Sequence, residues 1–112
     1  MLFRSQMLIE RGADVSAQDR TGETALHLSS RWEHVEIAHM LVERGADVEA
    51  QDQTGETALH LASQEGRAEV AKMLIERGAD VSVQDWTGET AFDMALRGRN
   101  VEVLRCLSSA AQ

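Results

Sequence analysis

The sequence contains no proline and no tyrosine, a single cysteine, and aromatic residues at only 4% of its 112 positions. Without proline, no helix start is preset by a locked ring. With few aromatics, the apolar 43% is mostly Ala, Leu, Val, Ile and Met, which favours helices packed through small and aliphatic side chains. Cys106 has no partner for an internal disulfide, and a lone thiol suits a reducing compartment. Positive charge is short: the net charge is -8, which argues against nucleic acid and anionic membrane as main partners. The one local basic cluster, Arg97, Arg99 and Arg105, reads as solvated surface. No apolar run approaches the ~18 residues that span a bilayer. The opening "MLFRSQMLIERG" is interrupted by Arg4, Ser5 and Gln6 and has no small-residue cleavage site, so it does not read as a secretory signal. The expectation is an intracellular protein, cytoplasmic or nuclear.

What the chain has instead is repetition. "TGETALH" stands at 21–27 and again at 54–60, and returns as "TGETAFD" at 87–93. Residues 19–51 laid over 52–84 give 21 identities in 33 positions. The block 85–107 keeps the register, and 1–18 match the second half of the unit. Such a period is the signature of a stacked array.

Each unit carries its own punctuation. Gly12, Gly45 and Gly78 follow an apolar periodic stretch, where a left-handed residue ends a helix. Gly22, Gly55 and Gly88 mark a polar turn. Thr24, Thr57 and Thr90 stand where a helix N-cap belongs. A short helix is expected over about 25–32 and 58–65, and a second over about 35–44 and 68–77. On the second, Ile37, Ala38, Leu41 and Val42 form one apolar stripe, matched by Val70, Ala71, Leu74 and Ile75. Neither helix reaches the ~12 residues at which isolated helices become marginal, so each copy needs its neighbours.

A 33-residue unit of turn plus two helices, reading "TALHLSS", "TALHLAS" and "TAFDMAL", resembles the ankyrin repeat. The Gly–Ala–Asp–Val tails and the leading Asp19, Asp52 and Asp85 match too, over essentially the whole chain. Ala25, Ala58 and Ala91 replace the usual proline, which loses preorganisation but keeps the helix. The resemblance implies an all-α solenoid of helix-turn-helix units with β-turn or hairpin fingers. Its expected divisions are a half repeat over 1–18, repeats over 19–51 and 52–84, and a C-terminal capping repeat over 85–112, all in one domain. It also implies that His27 and His60 bond the capping Thr and a neighbouring layer, tying repeats together. Hydroxylation at the family's turn asparagine is not expected, since Ser16, Glu49 and Ser82 stand there.

No chemistry competes with this reading. His34 and His39 are five apart and share no helix face. No Cys/His spacing suits zinc, no glycine-rich phosphate loop is present, and no nucleophile, base and orienting group cluster. No cofactor is expected. The columns Glu23/Glu56/Glu89 and Glu10/Glu43/Glu76 put like charges on successive layers. They read first as solubility, and otherwise as an acidic strip for a basic partner.

Columns that stay constant hold a stack, and columns that vary are free to be specific. The varying ones are Arg20/Gln53/Trp86, Arg31/Gln64/Arg97, Trp32/Glu65/Gly98 and Glu33/Gly66/Arg99. In the ankyrin family such positions line the concave face that grips partner proteins. Both tryptophans fall here, and Trp and Arg are enriched among binding hot spots. The competing reading is that each tryptophan only covers a neighbouring finger or helix, with Trp32 filling the space left where Glu33 replaces glycine. The candidate partner-binding set is Arg20, Glu23, Arg31, Trp32, Gln53, Glu56, Gln64, Glu65, Trp86 and Glu89. The expected function is a non-catalytic protein-binding scaffold.

The ends differ. Asp93 replaces histidine, Ser108 replaces Val42 and Ile75, and "SSAAQ" closes the chain, which reads as a polar cap. At the start a first helix is missing, so Met7 and Leu8 should have an uncovered side. That predicts fraying, membership of a longer array, or a homo-oligomer docking through the N-terminal layer, the alternative function. An enzyme or small-molecule binder using His27, His60 and the glutamates is the remaining reading.

Overall fold

The computed structural model describes Val15 and residues 17–110. Six helices lie among them: α1 Ala25–Arg31, α2 Val35–Glu43, α3 Ala58–Glu65, α4 Ala68–Glu76, α5 Ala91–Gly98 and α6 Val101–Ala110. No strand is present among the described residues, so the fold is all-α and the fingers are turns. The expected helix bounds hold to within one residue. The half repeat's Met7, Leu8, Glu10, Gly12 and Ser16 lie outside the described residues.

Thr24, Thr57 and Thr90 start α1, α3 and α5, and each hydroxyl accepts the backbone N–H of the third helical residue. That residue's side chain reaches back to the threonine N–H, which closes a capping box. α2 and α4 end at Arg44 and Arg77, and Gly45 (φ 93°) and Gly78 (φ 90°) then take the left-handed conformation. Between paired helices the turn needs positive φ as well. Gly66 supplies it at no steric cost, whereas Glu33 and Arg99 adopt φ 56° with a side chain in place.

The helices stack in two rows. α1, α3 and α5 pack side by side, and α2, α4 and α6 form the second row behind them. Small buried side chains on the first row, including Ser29, Ser30, Ala58, Ala62, Ser63, Ala91 and Ala95, allow close approach. Leu26, Leu41, Leu59, Leu74, Val70, Val103 and Leu107 fill the space between rows and are almost fully buried. The core is therefore a line of like contacts, one set per layer, in which each layer completes its neighbour.

Side chains tie the layers where backbone groups would be orphaned. Arg67 Nε donates to Arg31 O at 2.9 Å, and Asn100 Nδ2 donates to Ser63 O at 2.6 Å. Both acceptors are carbonyls of the last turn of the preceding first-row helix, which has no intrahelical donor for them.

The closing layer departs from the polar cap expected of it. Ser108 and Ser109 are exposed, but so are Phe92, Leu96 and Val101. Their equivalents one layer earlier are Leu59, Ser63 and Ala68. Leu59 and Ser63 are buried beneath α5, and nothing among the described residues covers the corresponding side of α5.

Candidate partner-binding face

The face is built from the fingers and the first-row helices. Each finger is folded by one aspartate. Asp52 Oδ1 accepts the Thr54 N–H (2.9 Å), the Thr54 hydroxyl (2.8 Å) and the Glu56 N–H (2.9 Å), and Asp19 and Asp85 repeat the pattern. The Thr21 hydroxyl and the backbone amides hold the Asp19 carboxyl below its ordinary range. For Asp85, burial pushes the other way and is outweighed by the Thr87 hydroxyl and the amides of Glu89 and Thr87. A finger held this way has little freedom left to lose on binding.

Neighbouring fingers are bonded to each other. Gln53 N donates to Thr21 O at 2.9 Å, and Trp86 N donates to Thr54 O at 3.0 Å. Gln51 Nε2 spans from Gly55 O (2.9 Å) to Gln84 O (3.4 Å). Arg20, Gln53 and Trp86 thus lie in one bonded series: Gln53 Nε2 donates to Arg20 O at 3.4 Å, and the Trp86 indole N–H donates to Gln53 O at 3.0 Å.

Trp86 combines both readings of the tryptophans. Its indole lies on Gly55, where a Cβ would stand 2.6 Å from Cδ2 and where φ is +83°. Glycine is required there twice over, for the backbone and for the ring. Yet Trp86 remains 66% exposed, so the ring is both fixed and displayed. Trp32 is 55% exposed at the end of α1, and its indole nitrogen has no hydrogen-bond partner among the described residues.

His27 and His60 are structural in both nitrogens. Nδ1 of His27 accepts the Thr24 N–H at 3.0 Å, so Nε2 carries the proton and donates to Glu56 O at 2.8 Å. His60 bonds Thr57 N (3.1 Å) and Glu89 O (3.0 Å) in the same way. Both rings are 1% exposed, with no nitrogen left for a metal or a substrate. Asp93 keeps the capping box through Thr90 N (3.1 Å) but has no donor for a following layer.

The acidic column is not uniform. Arg31 pairs with Glu23, and Arg97 Nη1 pairs with Glu89 Oε2 at 2.6 Å, each arginine eight residues after its glutamate. The middle layer has Gln64 at the arginine position. Glu56 is half-buried, and no cation among the described residues is bonded to it. Burial, and then the nearby Asp52 carboxylate, push its carboxyl above its ordinary value. Gln64 and Glu65 are exposed beside it at the end of α3. In the second acidic column, Glu43 meets His39 at 3.5 Å and Arg77 of the next layer at 3.7 Å, so that pair of layers is bridged and not simply repelled.

Arg97 was missing from the candidate set although it shares a column with Arg31 and Gln64. The signal that finds it is the Glu-to-Arg spacing of eight. On the second-row side, an open groove is lined by Glu69, Lys72, Glu76, Glu102, Arg105 and Cys106, and it contains none of the predicted residues. Among the described residues no group of His, Cys, Asp and Glu could hold a metal ion, and no helix is long and apolar enough to cross a membrane.

A family model described as ankyrin repeats matches the chain in three copies, over residues 5–85 and 49–112. Among curated proteins, none matches.

Proposed function

The chain belongs to the ankyrin repeat family, and from that membership we propose that it is a non-catalytic scaffold gripping a partner protein with its fingers and first-row helices. Ankyrin repeats are in general modules of protein–protein interaction. The observation that carries the reading to this surface is the display of two tryptophans, 55% and 66% exposed, on elements held rigid by the stack. Large aromatic area presented at low ordering cost is what binding hot spots use. Arg20, Gln53 and Trp86 supply the finger side of the contact. Glu23, Arg31, Trp32, Glu56, Gln64, Glu65 and Glu89 supply the helix side.

The test is affinity capture from a cell lysate, read by mass spectrometry, with wild type beside a Trp32→Ala, Trp86→Ala double variant shown to be folded by circular dichroism. A partner captured by wild type and lost by the variant supports the reading. Equal capture by both removes it. A second reading, self-assembly through a layer end, is favoured by the apolar surface of Phe92, Leu96 and Val101. Sedimentation across a concentration series decides it: a mass that rises with concentration supports self-assembly, and a constant monomer mass excludes it.

A further inference from the structure

Glu56 is the odd member of its column. Glu23 and Glu89 each meet an arginine eight residues on. The middle layer keeps the glutamate and puts Gln64 where the arginine would be. No hydrogen bond or ion pair reaches the Glu56 carboxylate from any described residue. A half-buried carboxylate with no cation bonded to it is a cost to the fold. Here it is retained in the centre of the proposed binding face, between two layers in which the same cost is offset.

We infer that Glu56 is the receptor for an arginine side chain of the partner protein, which supplies from outside the guanidinium that Arg31 and Arg97 supply to the flanking layers. The inference rests on the binding face proposed above and names the chemistry of its partner. Three features favour that occupant. The flanking arginines are bonded to Glu23 and Glu89, and the through-space pull of Arg31 on Glu56 is smaller than the push of burial and of the Asp52 carboxylate, so the site stays short of positive charge. The planar guanidinium fork matches a carboxylate that has both oxygens available. And Gly55, the residue before Glu56, carries the exposed Trp86 indole, an aromatic surface beside which a guanidinium is well placed. The net charge of -8 would steer a cationic segment toward this face.

The test uses N-acetyl-arginine amide as the probe, with N-acetyl-citrulline amide as the uncharged control. Side-chain carboxyl carbons are followed by NMR during the titration. Expected is a saturable shift at Glu56 with the arginine probe, absent with citrulline. In Gln64→Arg the shift weakens at least tenfold, because the built-in arginine occupies the carboxylate. Circular dichroism of Gln64→Arg checks that it is folded, and Glu56→Gln provides the second variant, followed at the backbone amides of Gly55 and Thr57, whose probe-dependent shifts are lost with no new cation. If Glu56 responds only as weakly and linearly as the exposed Glu69, or if Gln64→Arg binds the probe as wild type does, the inference is overturned. The lysate capture separates this failure from failure of the broader reading. A partner lost with the tryptophan pair but kept by Gln64→Arg preserves the binding face and removes the arginine receptor.

Discussion

The middle layer, 52–84, and the closing layer, 85–110, have the same motif and the same caps but different surroundings. The middle layer is covered on both sides, and its Leu59, His60 and Ser63 are buried to within 1%. Among the described residues the closing layer is covered on one side, and its equivalents Phe92, Asp93 and Leu96 are all exposed. A residue's energetic role in this molecule is therefore set by its column and by whether another layer follows. The motif alone does not set it. The comparison can be broken at matched positions.

The largest contrast should be in the core column. Leu59→Ala removes a side chain 1% exposed and leaves a cavity between α3 and its neighbours, at a cost of about 2–5 kcal/mol. Phe92→Ala removes a larger side chain that is already 39% exposed, so it should cost about 1 kcal/mol by the area still buried. Urea unfolding of the two variants checks this. Equal losses would mean that the closing face is covered in solution.

The tie column comes next. His60→Ala strands the Glu89 carbonyl and the Thr57 N–H and opens a small void, a loss of about 2–3 kcal/mol. Asp93→Ala loses only a capping-box contact, about 0.5–2 kcal/mol. Thermal melts of both variants in one buffer give the difference. If Asp93→Ala proves the more damaging, the histidine is not what couples the layers.

The fingers give a smaller contrast. Gly55→Ala meets a positive φ, the Trp86 ring and the Trp86 backbone nitrogen, whereas Gly88→Ala meets a positive φ and open space. The conformational cost, about 1 kcal/mol, is common to both, so the excess at Gly55 measures how firmly Trp86, ring and backbone together, is seated on the neighbouring finger. Tryptophan fluorescence should shift toward that of a free indole in Gly55→Ala and stay unchanged in Gly88→Ala.

These contrasts also show where the sequence was legible. The threonine caps and the glycine stops depend on residues a few positions apart and on a strict period, both visible in one dimension, whereas the histidine ties followed from the resemblance to the ankyrin repeat. Trp86 lying on Gly55 was not legible, because it depends on how two fingers 31 residues apart align in register. The Glu–Arg pairing was missed for a related reason. A glutamate placed before the cap reaches along two helical turns, and the usual three- and four-residue helix spacings do not anticipate that. The polar-cap expectation for 85–112 followed Ser108 and overlooked Leu96, since a column of letters does not say which side of a layer a residue faces. Met7 and Leu8 of the half repeat lie outside the described residues.

The smallest effect concerns the charge column and has a sign that pH can expose. Because the Glu56 carboxyl is raised in the folded chain, the folded state holds that proton to higher pH than the unfolded state. Below both values the carboxyl is neutral in each state and contributes nothing. As pH rises through the window from the unfolded value to the raised folded one, ionisation favours the unfolded chain, and stability falls. Asp19, Asp80 and Asp85 act oppositely: their carboxyls are lowered, so their contribution is present at neutral pH and is lost on acidification. A single stability-versus-pH curve mixes the two. The difference between wild type and Gln64→Arg cancels the aspartates, which both proteins share, and isolates Glu56. That difference should be near zero in acid and grow to about 0.2–1 kcal/mol in favour of Gln64→Arg by neutral pH, the usual worth of a partly exposed ion pair. A difference that is flat across the carboxylate range would mean that Glu56 already has a counter-charge in solution, and the middle layer would then be no different from its flanks.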